Sequence, residues 1–444
     1  MDVSSNASAS YPLSDVEKII WRLSEAAPLN VTMIARIRGP LSSTDLQHAL
    51  NVLQSQHELL RVRVEKTKGG LAYRSHGVPE IPLHETAAER DAWVPLVEDE
   101  INRPLLSHVG PLARCVHVRH ADDQHHLLLT FHHVVGDGMS GVFMVRDLLT
   151  AATDSPRVAS TNPEGFRPPT AMDHRLPAYT RGWRGWKLGL AFQADSSLAD
   201  IRLRPPQRTR LDQFAPPDAR TIRIIPREFD PEITDQIIQR SRQEGTTVHA
   251  ALAAAMCLAV VDDINHTAPV SVKFRTPVNV RQDLVPPAGE DLGLFASMAF
   301  FRDRVTSRDD FWQLARRVRA QITNQVQRGI PCMLVRLMPI LYRLIRADRL
   351  TDQEFTHRWY DVTPSTCGIT NIGRLGIATE YGALQLDALH FAVAMSALGD
   401  FSCTVSSLGG RLHCNFLCPE PVISTGHAQE LVGNIETRLL KAIA

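Results

Sequence analysis

The chain has 444 residues, 44% hydrophobic and 22% charged, with Lys+Arg and Asp+Glu equal at 48 each. That is the composition of a soluble globular protein long enough for two or three ordinary domains. A formal net charge of zero argues against bulk nucleic-acid binding, which needs a basic excess, but leaves room for a local basic patch.

The first residues, Met1–Asp15, lack a basic stretch followed by an apolar one. They predict a short disordered tail and no secretory leader. Ser14-x-x-Glu17 is a capping box that starts a helix through Trp21 and Leu23. Val31, Met33, Ala35 and Ile37 alternate with polar or small residues, a half-buried strand ending at Gly39-Pro40. Ser42 caps the next helix, which carries Leu46, Ala49, Leu50 and Leu53 on one face and leads through His57 and Arg61 to a strand at Val62–Val64. Ala113–His120 and His125–Thr130 read as two strands joined by a turn. A helix then follows from Val142, and the first half closes near Thr153. Residues 154–219 are rich in Pro and Arg and predict a long crossover with short helical pieces.

The second half opens with a strand at Thr221–Ile225, then helices over about 231–243 and 247–262. The longest apolar run, Ala250–Val261, is shorter than the ~18 residues of a membrane span and reads as a buried helix. Strands follow at Val270–Phe274, Leu294–Phe301, Cys367–Ile372, Leu384–Phe391, Phe401–Ser406 and Arg411–Leu417. Helices are expected over Arg308–Arg328 and Ser424–Ala444. The class is α+β, and the chain divides into residues 1–153, the crossover 154–219 and residues 220–444. The seven cysteines are odd in number, contain no Cys-x-x-Cys and sit mostly in apolar patterns. They fit buried thiols of a reducing, cytoplasmic compartment. Cys414 and Cys418 share a strand, but no matching pair completes a metal site, and none is assigned.

The chemistry concentrates in Phe131–Gly141, FHHVVGDGMSG, between a strand and a helix. Neutral imidazole is the natural base near pH 7. Strand side chains alternate, so one of His132 and His133 can face a cavity while the other faces the core.

The motif His132-His133-Val134-Val135-Gly136-Asp137-Gly138 resembles the HHxxxDG signature of the condensation-domain and acyltransferase superfamily. That group includes nonribosomal-peptide condensation domains and the polyketide-associated acyltransferases. The Leu13-Ser14 start, His57-Glu58-x-Leu60-Arg61, Pro277–Arg281 and Thr370-Asn371-Ile372-Gly373-Arg374 agree along nearly the whole chain. The Asn-Ile-Gly-Arg segment is most similar to phthiocerol dimycocerosyltransferase-like, alcohol-acylating enzymes.

The resemblance implies two chloramphenicol acetyltransferase-like lobes in a V, with a tunnel between them. His133 is then the base that deprotonates an acceptor hydroxyl or amine as it attacks an acyl thioester. His132 is structural. Asp137 is a structural aspartate paired with an arginine, for which Arg281 is the candidate, and Gly138 gives clearance for the thioester arm. Asn371 is a candidate for positioning substrate, and Arg374 either faces a donor or steadies the contact between lobes. The implied reaction is ester formation on an alcohol. An amide-forming condensation enzyme and a catalytically silent carrier-binding module are the alternatives. No cofactor or metal is implied. Acyl-CoA or an acyl carrier protein is the co-substrate, a small-molecule or lipid alcohol or amine is the acceptor, and a monomer without membrane insertion is expected.

Two further sets of residues stand out. Arg181, Arg184, Lys187, Arg202, Arg204, Arg208 and Arg210 cluster in the crossover, Arg316, Arg317 and Arg319 lie on one helix, and Arg336, Arg343, Arg346 and Arg349 follow. They read either as solvated charges or as a dock for a polyanionic carrier protein or coenzyme A. Met333, Leu334, Leu337, Met338, Ile340 and Leu341 read either as core or as the wall of a lipid channel.

Overall fold

A computed structural model describes residues 10–89, 92–153, 168–265, 267–396, 399 and 401–444. Most of the tail expected at the N-terminus, and the Pro156 to Pro163 part of the crossover, lie outside these residues.

The first half runs β1 (Ser10–Pro12), α1 (Asp15–Ala26), β2 (Asn30–Arg38), α2 (Ser43–Gln56), β3 (Arg63–Thr67), β4 (Gly70–Arg74), β5 (Leu83–Ala87), α3 (Trp93–Asn102), β6 (Ala113–Arg119), β7 (Gln124–His132) and α4 (Gly138–Thr153). Then come α5 (Gly182–Leu203), β8 (Thr221–Phe229), α6 (Pro231–Gln243), α7 (Val248–Ile264), β9 (Val270–Asn279), β10 (Ala296–Val305), α8 (Phe311–Gln327), α9 (Ile330–Leu344) and α10 (Asp352–Val362). The chain ends with β11 (Cys367–Arg374), β12 (Glu380–Tyr381), β13 (Leu384–Val393), β14 (Phe401–Leu408), β15 (Arg411–Glu420) and α11 (Thr425–Ile443).

Two six-stranded sheets organise the molecule, in the orders β12-β13-β2-β7-β6-β5 and β10-β9-β11-β14-β15-β8, beside a small sheet β1-β4-β3. Local chemistry starts the elements. Ser14 and Glu17 form the reciprocal capping box of α1, and Ser42, Asp230, Thr247, Asp310 and Ser424 cap α2, α6, α7, α8 and α11 through their side chains. In α7 every residue from Ala250 to Val261 is buried, and it packs within the core of the second sheet.

Three findings differ from the sequence reading. First, β2 is buried on both faces. Val31, Met33, Ala35 and Ile37 pack against α2 and α4, while Ile34 on the other side meets Val97 and Ile101 of α3, Ile224 of β8 and Leu417 of β15. The alternation suggested an exposed face, but Thr32 is buried there with its hydroxyl bonded to that of Thr130 at 2.8 Å.

Second, β12 and β13 come from the 220–444 segment yet belong to the first sheet, β13 pairing antiparallel with β2. They bind the lobes together. Beyond short β12, the free edge of β13 takes side-chain donors from the second sheet: Thr404 and Asn415 to the carbonyl of Phe391, and Ser406 to that of Leu389 at 2.9 Å. These bonds satisfy an edge that would otherwise be buried unpaired.

Third, the described part of the crossover contains a 22-residue helix, α5, in place of short pieces. Gly182, Gly185 and Gly189 lower its helix propensity. Gly185 lies so close to Thr180 that a Cβ would sit 2.2 Å from the Thr180 carbonyl oxygen, and a Cβ on Gly189 would meet Met333 of α9 at 3.3 Å. These glycines let the helix approach its neighbours.

Candidate active site

The motif occupies the corner where β7 ends and α4 begins. His132 and His133 anchor it through their backbone N–H groups, which donate to Leu112 O at 2.9 Å and Leu29 O at 3.1 Å. Alternation then separates the rings. His132 is buried, and its Nδ1 accepts from the N–H of Val134 at 3.0 Å. Burial holds its pKa down at about 3, so the ring stays neutral. His133 is only half-buried. Its Nδ1 lies 2.8 Å from the carbonyl oxygen of Gly136. A carbonyl only accepts, so Nδ1 carries the proton, and the neutral ring keeps its lone pair on Nε2. Gly136 is needed for this turn, since a Cβ there would lie 2.9 Å from the ring of Phe131.

Asp137 turns away from His133. Its Oδ1 accepts from the N–H of Ser140 at 2.8 Å, an N-cap for α4, and from Arg281 Nη2 at 2.9 Å. Its Oδ2 accepts from the N–H of Phe295 at 3.0 Å. Arg281 also donates from Nη1 to Asp291 O at 2.6 Å and from Nη2 to Ser140 Oγ at 2.8 Å, and its guanidinium stacks over the Phe295 ring at 4.6 Å. Asp137 and Arg281 are buried, with side chains 6% and 3% exposed. The pair fastens the start of α4 to the loop between β9 and β10.

Gly138, the first residue of α4, faces β11: a Cβ there would strike Ile372 Cγ2 at 2.8 Å. In the direction a Cβ would take, the space beside Gly138 is filled by Ile372. A register shift between Asn371 and Gly373 marks β11 at this point, and Asn371 Oδ1 accepts from the N–H of Gly373 at 2.7 Å. At this bulge Ile372 lies against Gly138, and the amide nitrogen of Asn371 is its remaining side-chain donor. Arg374 is exposed at the end of β11.

Ser140 and Tyr73 escaped sequence reasoning, as did the contact of Tyr73 with the capping-box residue Glu17. Ser140 had a usable signal, since Asp-x-x-Ser opening a helix is a cap spacing. Tyr73 did not. Its hydroxyl, from the hairpin β3-β4, lies 3.3 Å from the carbonyl of Val134 and 3.2 Å from Glu17 Oε1. Burial raises the Glu17 carboxyl above its ordinary range, against the lowering effect of its Ser14 bonds. The turn that carries His133 thus leans on the capping box of α1.

The remaining arginines divide. Arg316 pairs with Glu244, Arg317 with Asp303 and Asp309, and Arg208 stacks on Tyr360 at 3.5 Å while donating to its carbonyl. Arg336, Arg343, Arg346 and Arg349 are exposed. On α9, Met333 is buried, Leu334, Leu337, Met338 and Leu341 are half-buried, and Ile340 is exposed. Among the described residues no group of three His, Cys, Asp or Glu side chains is arranged to hold a metal ion. All seven cysteines are free and buried. No single described helix is long and apolar enough to cross a membrane.

Comparison with known proteins agrees with this architecture. Residues 7–156 match the condensation-domain family, and residues 220–417 match the family described as phthiocerol/phthiodiolone dimycocerosyl transferase C-terminus. Phosphinothricin tripeptide synthetase PhsC of Streptomyces viridochromogenes is 33% identical over 176 residues, which are 37% of this chain and 16% of that protein. Gramicidin S synthase 2 of Brevibacillus brevis is 27% identical over 142 residues, which are 31% of this chain and 3% of that protein. The chain therefore spans a small fraction of these synthetases. Polyketide synthase associated protein 5 from Mycobacterium tuberculosis superposes with a TM-score of 0.67 at 16% identity, covering 98% of this chain and 97% of that one. The TRI3 trichothecene 15-O-acetyltransferase from Fusarium sporotrichioides does so at 0.73 and 12%, covering 96% and 94%. Two sheets of six strands locked across β13, with the HHxxxDG corner at the end of β7, place this chain in the condensation-domain and acyltransferase superfamily, with its two-lobed chloramphenicol acetyltransferase-like fold.

Proposed function

We propose that the protein transfers an acyl group from a thioester, carried by coenzyme A or by an acyl carrier protein, to a hydroxyl acceptor, forming an ester. The observation that carries this reading is the His133 tautomer: with Nδ1–H held by Gly136 O, Nε2 is free to take a proton. His133 Nε2 removes the hydroxyl proton as the oxygen attacks the thioester carbonyl. The tetrahedral intermediate collapses with cleavage of the C–S bond, and the thiolate leaves with the proton returned from His133. Atoms and charges balance without a redox group or metal. No Ser or Cys sits in a nucleophile motif and all seven cysteines are buried, which favours direct transfer over an acyl-enzyme. Asp137 and Arg281 act as the anchor of the corner, His132 as its buried scaffold, and Asn371 as a candidate positioning group. The alcohol-acylating choice is supported by the match of residues 220–417. The relatives among peptide synthetases favour a second reading, amide formation on a carrier-bound amine. The buried thiols suit a reducing cytoplasm.

Mass spectrometry of products from acyl-thioesters offered with alcohol and amine acceptors tests the reading. Ester products support it, amide products alone replace it with the second reading, and carrier binding without product would leave a silent module.

A further inference from the structure

Helix α5 presents an unusual surface. Of its 22 residues only Gly185 is buried. One side, with Leu188, Gly189 and Phe192 half-buried, rests on the body of the protein, Gly189 against Met333 of α9. The outward side is also apolar. At about 3.6 residues per turn, Trp183, Trp186, Leu190, Ala194, Ser197 and Ile201 fall on one stripe along the whole helix. Trp183 is 65% exposed, Trp186 56% and Ile201 78%. The two indoles stack at 4.8 Å, and Lys187 lies 5.1 Å over the Trp183 ring.

Charge decides what covers such a stripe. The helix carries two acids, and each is already paired with an arginine outside the helix: Asp195 with Arg328 at 3.2 Å and Asp200 with Arg302 at 2.6 Å. Its three cations, Arg184, Lys187 and Arg202, are exposed, and among the described residues none has an acidic partner. Apolar side chains pointing out, uncompensated cations beside them and tryptophans at one end are the pattern of a helix lying in a lipid–water interface. The stripe from Trp183 to Ile201 is about 27 Å long, with the uncompensated cations along its flank. We propose that α5 docks this protein on an anionic lipid bilayer, with the stripe in the acyl–headgroup boundary and the three cations on lipid phosphates. The proposal is independent of the transfer chemistry, because vesicle binding needs no turnover.

The test is co-sedimentation of the full chain with vesicles of phosphatidylcholine alone or mixed with phosphatidylglycerol. Two variants accompany it, Trp183→Ser/Trp186→Ser/Ile201→Ser and Arg184→Glu/Lys187→Glu/Arg202→Glu. All six side chains are exposed, and unchanged circular dichroism and thermal midpoint verify folding. The expected result is binding to the anionic vesicles, weakened about tenfold or more in each variant, reduced by salt, and accompanied by a blue shift of tryptophan emission that the first variant loses. Absence of vesicle binding, or binding that both variants retain, overturns the proposal. So does a dimer, or a complex with an acidic carrier protein, that needs the stripe when no vesicle is bound.

Discussion

Replacing Arg281 with Met keeps much of the side-chain length and removes the charge. Asp137 would then be left 6% exposed with the N–H groups of Ser140 and Phe295 as its remaining backbone donors, and the carbonyls of Asp291 and Gly289 would each lose a donor. Breaking a buried ion pair from one side destabilises by about 3–5 kcal/mol, because the partner stays charged and desolvated. For a cooperative unit of 150–250 residues that lowers the thermal midpoint by roughly 6–20 °C. The assay is urea and thermal unfolding of wild type, Arg281→Met, Asp137→Asn and the double variant. The double variant should lose less than the sum of the single losses, with a coupling of about 1–3 kcal/mol. Arg281→Lys should recover part of the loss, since one ammonium cannot reproduce the fork that holds Asp137, Ser140 and Asp291 together. A loss below about 1 kcal/mol in either single variant, the size expected of an exposed pair, would refute the reasoning.

The other expectations concern packing and pH. Gly138→Ala should destabilise the protein and lower activity by forcing Ile372 away, and Ile372→Ala in the same chain should restore much of both; no rescue would show that the glycine serves something other than this contact. Burial, the largest cause in each case, depresses His117 and His413 to about 4 and lowers His390. Their stability contribution is fully present above the unfolded histidine value of about 6.5 and is lost as pH falls towards 4. Urea midpoints should therefore drop between pH 7 and pH 5, and His413→Gln should flatten that slope; a flat wild-type profile would contradict the assignment. Glu17 has the opposite sign. Its raised value gives a contribution present below the ordinary carboxylate range and lost as pH rises through it, so Glu17→Gln should remove a decline on the alkaline side of about pH 4.5, seen in the same midpoints.

Where local pattern decides structure, the sequence is readable. The Ser14–Glu17 capping box, the helix Arg308–Arg328 and the buried run Ala250–Val261 follow from caps and periodicity, and each stands within a few residues of where it was expected. Nothing local joins Asp137 to Arg281, which are 144 residues apart; only the family resemblance named the pair. The placement of β13 in the first sheet is illegible for the same reason, because an apolar strand carries no record of which sheet it completes. Helix α5 was hidden differently. Its glycines lower propensity, and its two apolar sides defeat a search for a single stripe. Tyr73, whose hydroxyl supports Val134 across 61 residues, looks in sequence like any aromatic of a short hairpin.

The central claim is that His133 supplies the base. Its most direct test is the initial rate of ester formation from an acyl-thioester by His133→Ala against wild type, with His132→Ala in parallel. A half-buried His133 predicts a folded variant whose rate falls by about 10²–10⁴-fold, while His132→Ala loses stability first. Ester formation at the wild-type rate by a folded His133→Ala protein would contradict the account.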